Sequence, residues 1–263
     1  MFLALLLYLV ARDHPAVDRE TARRLELWFK KTRPETIGMS DRTLRRFIQF
    51  DEPAVLDRLI QLPGQLMAMA EKQAVHDVSS AKLARLALYL ALLLETCARS
   101  GNIVGLDLQS HIISDGHGKA ERTFVVIPAH EVKNDQEIRA ELSPRTGRML
   151  RRYVERYRAI HCLGPSPWLF PRQDGTHWST TQACTDLNDV AARRLGVDVT
   201  PHLMRSLAGR IVLDAHPGAI TTVQQLLGHK RLDTTLRFYS RLDPQKARAQ
   251  YHQVLETRRG GRV

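Results

Sequence analysis

Two short runs in the last quarter of the chain hold residue types that could act on a phosphate. From Thr200 the sequence reads TPHLMR, in which Thr200 suits a helix N-cap, Pro201 the first helical position, and His202 and Arg205 fall one turn apart on one face. A helix start offers unpaired backbone N–H groups and the positive end of the helix dipole. An arginine there adds a planar fork of donors that matches two phosphate oxygens. From Leu226 the sequence reads LLGHKRLDTTLRFY: Leu226 and Leu227 are packing residues, Gly228 can end a helix, His229 follows at once, and Tyr239 stands ten residues later. Singly, each of these residues has an ordinary structural role, and their order along the chain is what carries meaning.

In that order and at that spacing, TPHLMR and LLGHKRLDTTLRFY resemble the C-terminal half of the tyrosine recombinases, the phage integrase family. The resemblance extends upstream. ETCARSGNIVGLDL (95–108) is similar to the family segment with the first catalytic arginine, which implies Arg99, and HEVKNDQEIRAELS (130–143) is similar to the hairpin whose turn holds the catalytic lysine, which implies Lys133. His202 and Arg205 match the family HxxR, His229 its histidine-or-tryptophan position, and Tyr239 its nucleophile. The matches run from about residue 79 to about residue 245. Three positions depart from the pattern: Asn102 stands where an acidic residue usually buttresses the first arginine, Ser206 where histidine is frequent, and Tyr239 lies one residue beyond the usual spacing, at which Phe238 stands.

The chemistry that the resemblance implies explains these residue types. A phosphodiester repels nucleophiles, so cleavage needs donors aimed at the charge that develops in the transition state. Arg99 and Arg205 are expected to clamp the nonbridging oxygens, His229 to add a hydrogen bond, and His202 to take the proton of the Tyr239 hydroxyl. A free tyrosine has a pKa of about 10, so neighbouring cations must stabilise its phenolate. Lys133 is expected to protonate the departing 5′ oxygen. The covalent 3′-phosphotyrosine conserves bond energy, so neither a metal nor a nucleotide cofactor is expected.

Elements that could position such a site are legible in outline. Short helical patterns fill the first part of the chain, punctuated by Pro34, Gly38, Pro53 and Pro63. Ser40 to Phe47 (SDRTLRRF) could be half of a helix-turn-helix or an ordinary helix. The apolar runs Phe2 to Val10 and Leu86 to Leu94 are too short to span a bilayer and predict buried helices. Strands are expected over Ile103 to Ile113, Thr123 to Ile127 and Glu137 to Leu142, the last two forming a hairpin around Lys133, Asn134 and Asp135, with helical periodicity thereafter. The expected fold is mainly α with a small β-sheet (α+β): a tyrosine recombinase catalytic domain over 76–263, preceded by a helical region over 1–75 that could be a partial core-binding domain. This region looks shorter than the family's four-helix domain. Asp243 to Glu256 predicts a helix that either passes to a neighbouring copy or packs on its own chain.

Composition agrees with a polyanionic partner. Lys and Arg number 39 against 28 Asp and Glu, a formal charge of +11. Cys97, Cys162 and Cys184 are too few and too far apart for a disulfide framework or a zinc ribbon, which fits a reducing compartment, and the histidines show no metal spacing. The reading is a site-specific recombinase or integrase of a mobile element, cytoplasmic and nucleoid-associated when bound to DNA. Its expected partners are double-stranded DNA, three further copies in a homotetramer, and accessory DNA-bending proteins, with no membrane. Two rivals stand beside it: a noncatalytic DNA-binding regulator on an integrase scaffold, and a type IB topoisomerase-like enzyme. Formation of a covalent protein–DNA adduct separates the first, and recombination between two sites the second.

Overall fold

The computed structural model describes residues 2–32, 41–73, 77–116, 122–216, 218–229, 235 and 244–259. They divide into two compact units, Met1–Met39 and Ser40–Val263. In the first, α1 (Phe2–Asp13) and α2 (Arg19–Thr32) pack on each other, with the rings of Tyr8 and Phe29 stacked at 6.1 Å. The side chain of Asp18 accepts from the Thr21 N–H at 2.8 Å and starts α2. The expectation that Phe2 to Val10 is a buried helix is corrected here: Ala4 and Ala11 are buried, but Leu3, Leu6 and Val10 are 63%, 47% and 55% exposed. Within its own unit, a helix that is apolar all round shows only one face to α2.

In the second unit α3 (Asp41–Ile48) lies on the helix that begins at Pro201. Arg46 Nε donates to Asp198 at 2.7 Å, the Asp198 N–H donates to Gln49, and Arg210 reaches the Phe47 carbonyl and the Asp51 carboxylate. α4 (Pro53–Glu71) runs straight through Pro63, which the sequence read as a break. The proline removes one helical hydrogen bond, yet Leu59, Leu62, Pro63, Leu66 and Ala70 form a continuous buried face that packs on α5 and outweighs the loss. α5 (Val78–Thr96) starts at Asp77, whose carboxylate accepts from the Ser79 N–H. It is buried on nearly all sides, as the run Leu86 to Leu94 predicts.

Only part of the expected first strand forms. Ser100–Val104 makes a short helix, α6, and the strand β1 begins at Ile112 (Ile112–Asp115). Between them Asp107 accepts from the N–H groups of Gln109 and Ser110, and His111 Nδ1 accepts from the Asp107 N–H, so the chain turns instead of extending. β2 (Arg122–Ile127) and β3 (Ile138–Leu142) pair antiparallel as the predicted hairpin, with Val125 opposite Ala140 and Ile127 opposite Ile138. The sheet order is β1-β2-β3. Among the described residues the helices α7 (Pro144–Arg156), α8 (Thr180–Leu195), α9 (Pro201–Ala215) and α10 (Ile220–Leu226) then follow. Farther on comes α11 (Pro244–Arg258).

The core lies around α5. Tyr89, Tyr153, Phe170 and Trp178 form a buried aromatic cluster, with the Arg85 guanidinium 4.1 Å above the Trp178 ring. At the end of α5, Glu95 accepts from the Ser143 N–H, the Ser143 hydroxyl and the Thr146 hydroxyl, which fixes the sheet-to-α7 corner against the helix. Among the described residues no helix is long and apolar enough to cross a membrane.

Candidate active site

The site is built where helix ends meet. α5 closes on Cys97, a non-glycine residue held in the left-handed conformation at φ 51°. Thr96 secures this ending: its hydroxyl donates to the Leu92 carbonyl at 2.7 Å and accepts from the Ala98 N–H at 3.1 Å. Two residues on, Arg99 is the extended N-cap residue of α6. Burial pushes the Cys97 thiol up to about 11, with Arg205 only partly opposing it, so this cysteine is a packing residue and not a nucleophile.

Arg205 enters from the first turns of α9. As TPHLMR predicts, Thr200 is the N-cap, its side chain accepting from the Leu203 N–H at 3.2 Å, and Pro201 opens the helix. The buried Arg205 guanidinium donates through Nη1 to the Cys97 carbonyl and through Nη2 to the Leu227 carbonyl. These carbonyls lie at the C-terminal ends of α5 and α10, where unpaired carbonyls and the helix dipole favour a cation. One side chain thus joins two helix ends that are far apart in sequence.

α10 ends as LLGH predicts. Gly228 takes φ +53°, and the His229 N–H returns to the Gln224 carbonyl at 3.0 Å. A Cβ at Gly228 would lie 2.9 Å from both Asn134 Nδ2 and Gln136 Oε1, so glycine is required twice over, for its conformation and for its lack of a side chain. The Gln224 amide also donates to the His229 carbonyl, and His229 Nδ1 is hydrogen-bonded to the buried Thr235 hydroxyl at 2.9 Å.

The turn between β2 and β3 closes the arrangement. Lys133 is exposed there, and the next residue, Asn134, accepts from Arg99 Nη1 at 2.8 Å while donating to the Gly228 carbonyl. Asn102 donates to the Glu131 carbonyl at 3.4 Å, at the front of the same turn. Arg99, Arg205, Cys97, Asn134, Leu227 and Gly228 line one cleft of about 390 Å³.

Arg99 and Arg205 are therefore brought together. The rings of His202 and His229 lie within their field: both pKa values are lowered, first by partial desolvation, although His202 keeps an exposed edge, then by repulsion from Arg205 and Arg99. Both imidazoles are consequently biased toward the neutral form. The Lys133 side chain points to no partner among the described residues. Tyr239 and Phe238, and with them the one-residue difference in spacing, lie outside the described residues. Asn134 is legible in the sequence only as a turn residue, because its role depends on two contacts distant in the chain. Nor did it mark Cys97, whose contribution is a carbonyl.

A family model described as "Phage integrase family" matches residues 64–246. Two integrase/recombinase relatives from Sinorhizobium fredii align with this chain. One, y4eF, is 31% identical over 138 residues, 51% of this chain and 45% of that protein; the other, y4qK, is 34% identical over 119 residues, 43% of this chain and 35% of that protein. The matched region thus spans less than half the length of either relative. Among solved structures, the XerH site-specific recombinase in a post-cleavage complex with palindromic difH substrate superposes with a TM-score of 0.54 at 16% identity, over 73% of this chain and 51% of that one. The pre-cleavage complex of XerH with difH gives 0.53 at 13% identity, over 94% and 70%. At such identities the likeness is one of fold.

Proposed function

The chain belongs to the phage integrase family, and from that premise we propose that it is a site-specific DNA recombinase or integrase that cleaves and rejoins strands through a 3′-phosphotyrosine on Tyr239. The observation that supports this best is the convergence of Arg99 and Arg205 on one cleft, with His202 and His229 held in their field. Two guanidinium groups fixed by the fold are donors preorganised for the charge that grows on the nonbridging oxygens of a phosphodiester. The Arg205 fork is already braced by two carbonyls, so little reorganisation accompanies reaction.

In the proposed reaction the Tyr239 hydroxyl attacks phosphorus and its proton passes to neutral His202. The bond from phosphorus to the 5′ oxygen breaks, and that oxygen takes a proton from Lys133, leaving a 3′-phosphotyrosine and a free 5′ hydroxyl. With the Thr235 hydroxyl donating to Nδ1, His229 keeps its Nε2–H for a nonbridging oxygen. Rejoining is the reverse, with a 5′ hydroxyl as nucleophile. The tyrosines themselves support the choice of nucleophile: Tyr89, Tyr153 and Tyr157 are buried and burial raises each phenol pKa, the opposite of what an attacking phenolate needs.

Action as a homotetramer on double-stranded DNA, a cytoplasmic location, and the functional division into a helical region (1–75) and a catalytic domain (76–263) belong to the same proposal. The test is a nicked suicide substrate carrying the cognate site. Wild type should form a covalent adduct that peptide mapping places on Tyr239. Tyr239→Phe should bind the same DNA without forming it. An adduct on Tyr251 or any other residue would refute the assignment, and no adduct on a confirmed site would favour a noncatalytic DNA-binding role.

A further inference from the structure

We propose that Asn134 is a positioning residue for strand cleavage, orienting Arg99 and docking the Lys133 turn onto the Gly228 carbonyl; this rests on the recombinase reading above. Its amide is used at both ends. Oδ1 accepts from Arg99 Nη1 at 2.8 Å, and Nδ2 donates to the Gly228 carbonyl, one residue before His229. A single planar amide can offer an acceptor to a cation and a donor to a carbonyl. Aspartate would keep the first contact and set a carboxylate oxygen against the second, and an aliphatic side chain would lose both.

Three further observations fit this role. Gly228 has no side chain, and a Cβ there would strike Asn134 Nδ2 and Gln136 Oε1 at 2.9 Å, so the turn approaches the end of α10 as closely as a glycine allows. Gln136 Oε1 also lies 3.5 Å from Asn134 Nδ2 and steadies the amide orientation. Asn102, one turn into α6 from Arg99, spends its amide on the Glu131 carbonyl, so it ties down the front of the turn. The anchor of Arg99 thus comes from the hairpin turn rather than from its own helix. Lys133 is the neighbouring residue of that turn. The orientation of the first phosphate donor and the placement of the leaving-group acid therefore share one side chain, and lifting the turn would disable both.

The experiment is single-turnover cleavage of the nicked suicide substrate by the full chain, with DNA affinity and thermal midpoint measured alongside. Loss of a residue that orients a reacting group commonly costs on the order of 10- to 100-fold in activity. Asn134→Ala should slow cleavage by about that factor while DNA affinity and the thermal midpoint stay close to wild type. In an Arg99→Ala background the same change should cost clearly less than it does in wild type, because only the part of its effect that passes through the Lys133 turn remains. Asn134→Asp should fall between wild type and Asn134→Ala. Asn102→Asp placed on Asn134→Ala should recover several-fold, the new carboxylate bracing Arg99 from α6. Gly228→Ala, which pushes on the amide from the other side, should slow cleavage without touching any reacting group.

A wild-type rate in Asn134→Ala, or effects that multiply fully with Arg99→Ala, would overturn the proposal. Should Arg99→Ala and Tyr239→Phe themselves cleave normally, the recombinase reading fails and this inference falls with it. Should those two be inactive while Asn134→Ala is normal, the positioning role alone fails.

Discussion

At the scale of single residues, the two arginines differ in what else they hold. Arg99 makes its hydrogen bond to the exposed turn through Asn134, whereas Arg205 is buried and satisfies carbonyls at the ends of two helices. Removing one preorganised donor typically costs on the order of 10² to 10³ in rate, and both Arg99→Ala and Arg205→Ala should show a cleavage loss of that size. Only Arg205→Ala should also destabilise the fold, because each buried carbonyl left unpaired costs about 1–3 kcal/mol. Thermal unfolding of the two variants distinguishes them; equal midpoints would show that the Arg205 contacts are not structural. The histidines give a second outcome. Because burial and the arginines lower both pKa values, His202 stays neutral to lower pH than a free histidine, and the acid limb of the cleavage rate should lie below pH ~6.5. Asn134→Ala should leave this limb in place, whereas Arg99→Ala, which removes a repelling charge, should move it upward. Lys133 has its own signature: replacing the bridging 5′ oxygen by sulfur provides a leaving group that needs no proton, so Lys133→Ala should be far less impaired on that substrate than on the natural phosphodiester. Equal defects on both would make Lys133 a residue that only places DNA.

At the scale of elements, the packing around α5 makes stability depend on pH through His161. Its ring is buried and hydrogen-bonded to the Ala81 carbonyl at 3.1 Å, and burial, with Arg85 and Lys82 adding repulsion, lowers its pKa to about 4. The unfolded chain therefore binds a proton that the folded chain refuses. Stability from this residue is fully present above pH ~6.5 and is lost as pH falls toward the folded value, a full effect of about 3 kcal/mol. His161→Gln should flatten the pH dependence of the urea midpoint over that window, and an unchanged slope would refute it. The same packing shows what the sequence could tell. The α5 run, the β2–β3 hairpin, the Thr200 cap and the glycine ending of α10 were legible because each is local, set by periodicity, capping or turn residues. Helix α4 was not, since Pro63 reads as a stop and only the buried face on α5 carries the helix past it. The strand expected from Ile103 failed because Asp107 and His111 capture backbone N–H groups and turn the chain. At the site, the placement of Arg99 beside Arg205 was implied by the family resemblance, while the carbonyl and amide contacts that hold them depend on residues up to 108 positions apart. No local signal encodes those contacts.

At the scale of the whole molecule, the charge of +11 should make DNA affinity fall steeply with salt, by a log–log slope of about −0.9 for each phosphate neutralised. A flat salt response would remove DNA as the partner. How the N-terminal residues share in that binding calls for truncations chosen from the packing. Deleting residues 1–78 would remove α3 and α4 together, strip the cover from the apolar face of α5 and break the contacts of Arg46 with Asp198 and of Arg210 with Phe47 and Asp51. That variant should aggregate or unfold, since burying a single leucine-sized side chain is worth about 1.5–3 kcal/mol and α4 contributes several. Its loss of DNA binding would say nothing about contacts with DNA. Deleting residues 1–39 removes one compact unit and leaves the other with all its internal contacts. The shortened chain should unfold cooperatively with a midpoint within a few degrees of the full chain. If residues 1–39 help to grip DNA, its affinity should drop by about tenfold or more while the residual salt slope becomes shallower, because fewer phosphates are neutralised. An intact fold with unchanged affinity and slope would place the whole DNA-binding surface in residues 40–263, and a collapsed fold would show that the second unit depends on the first.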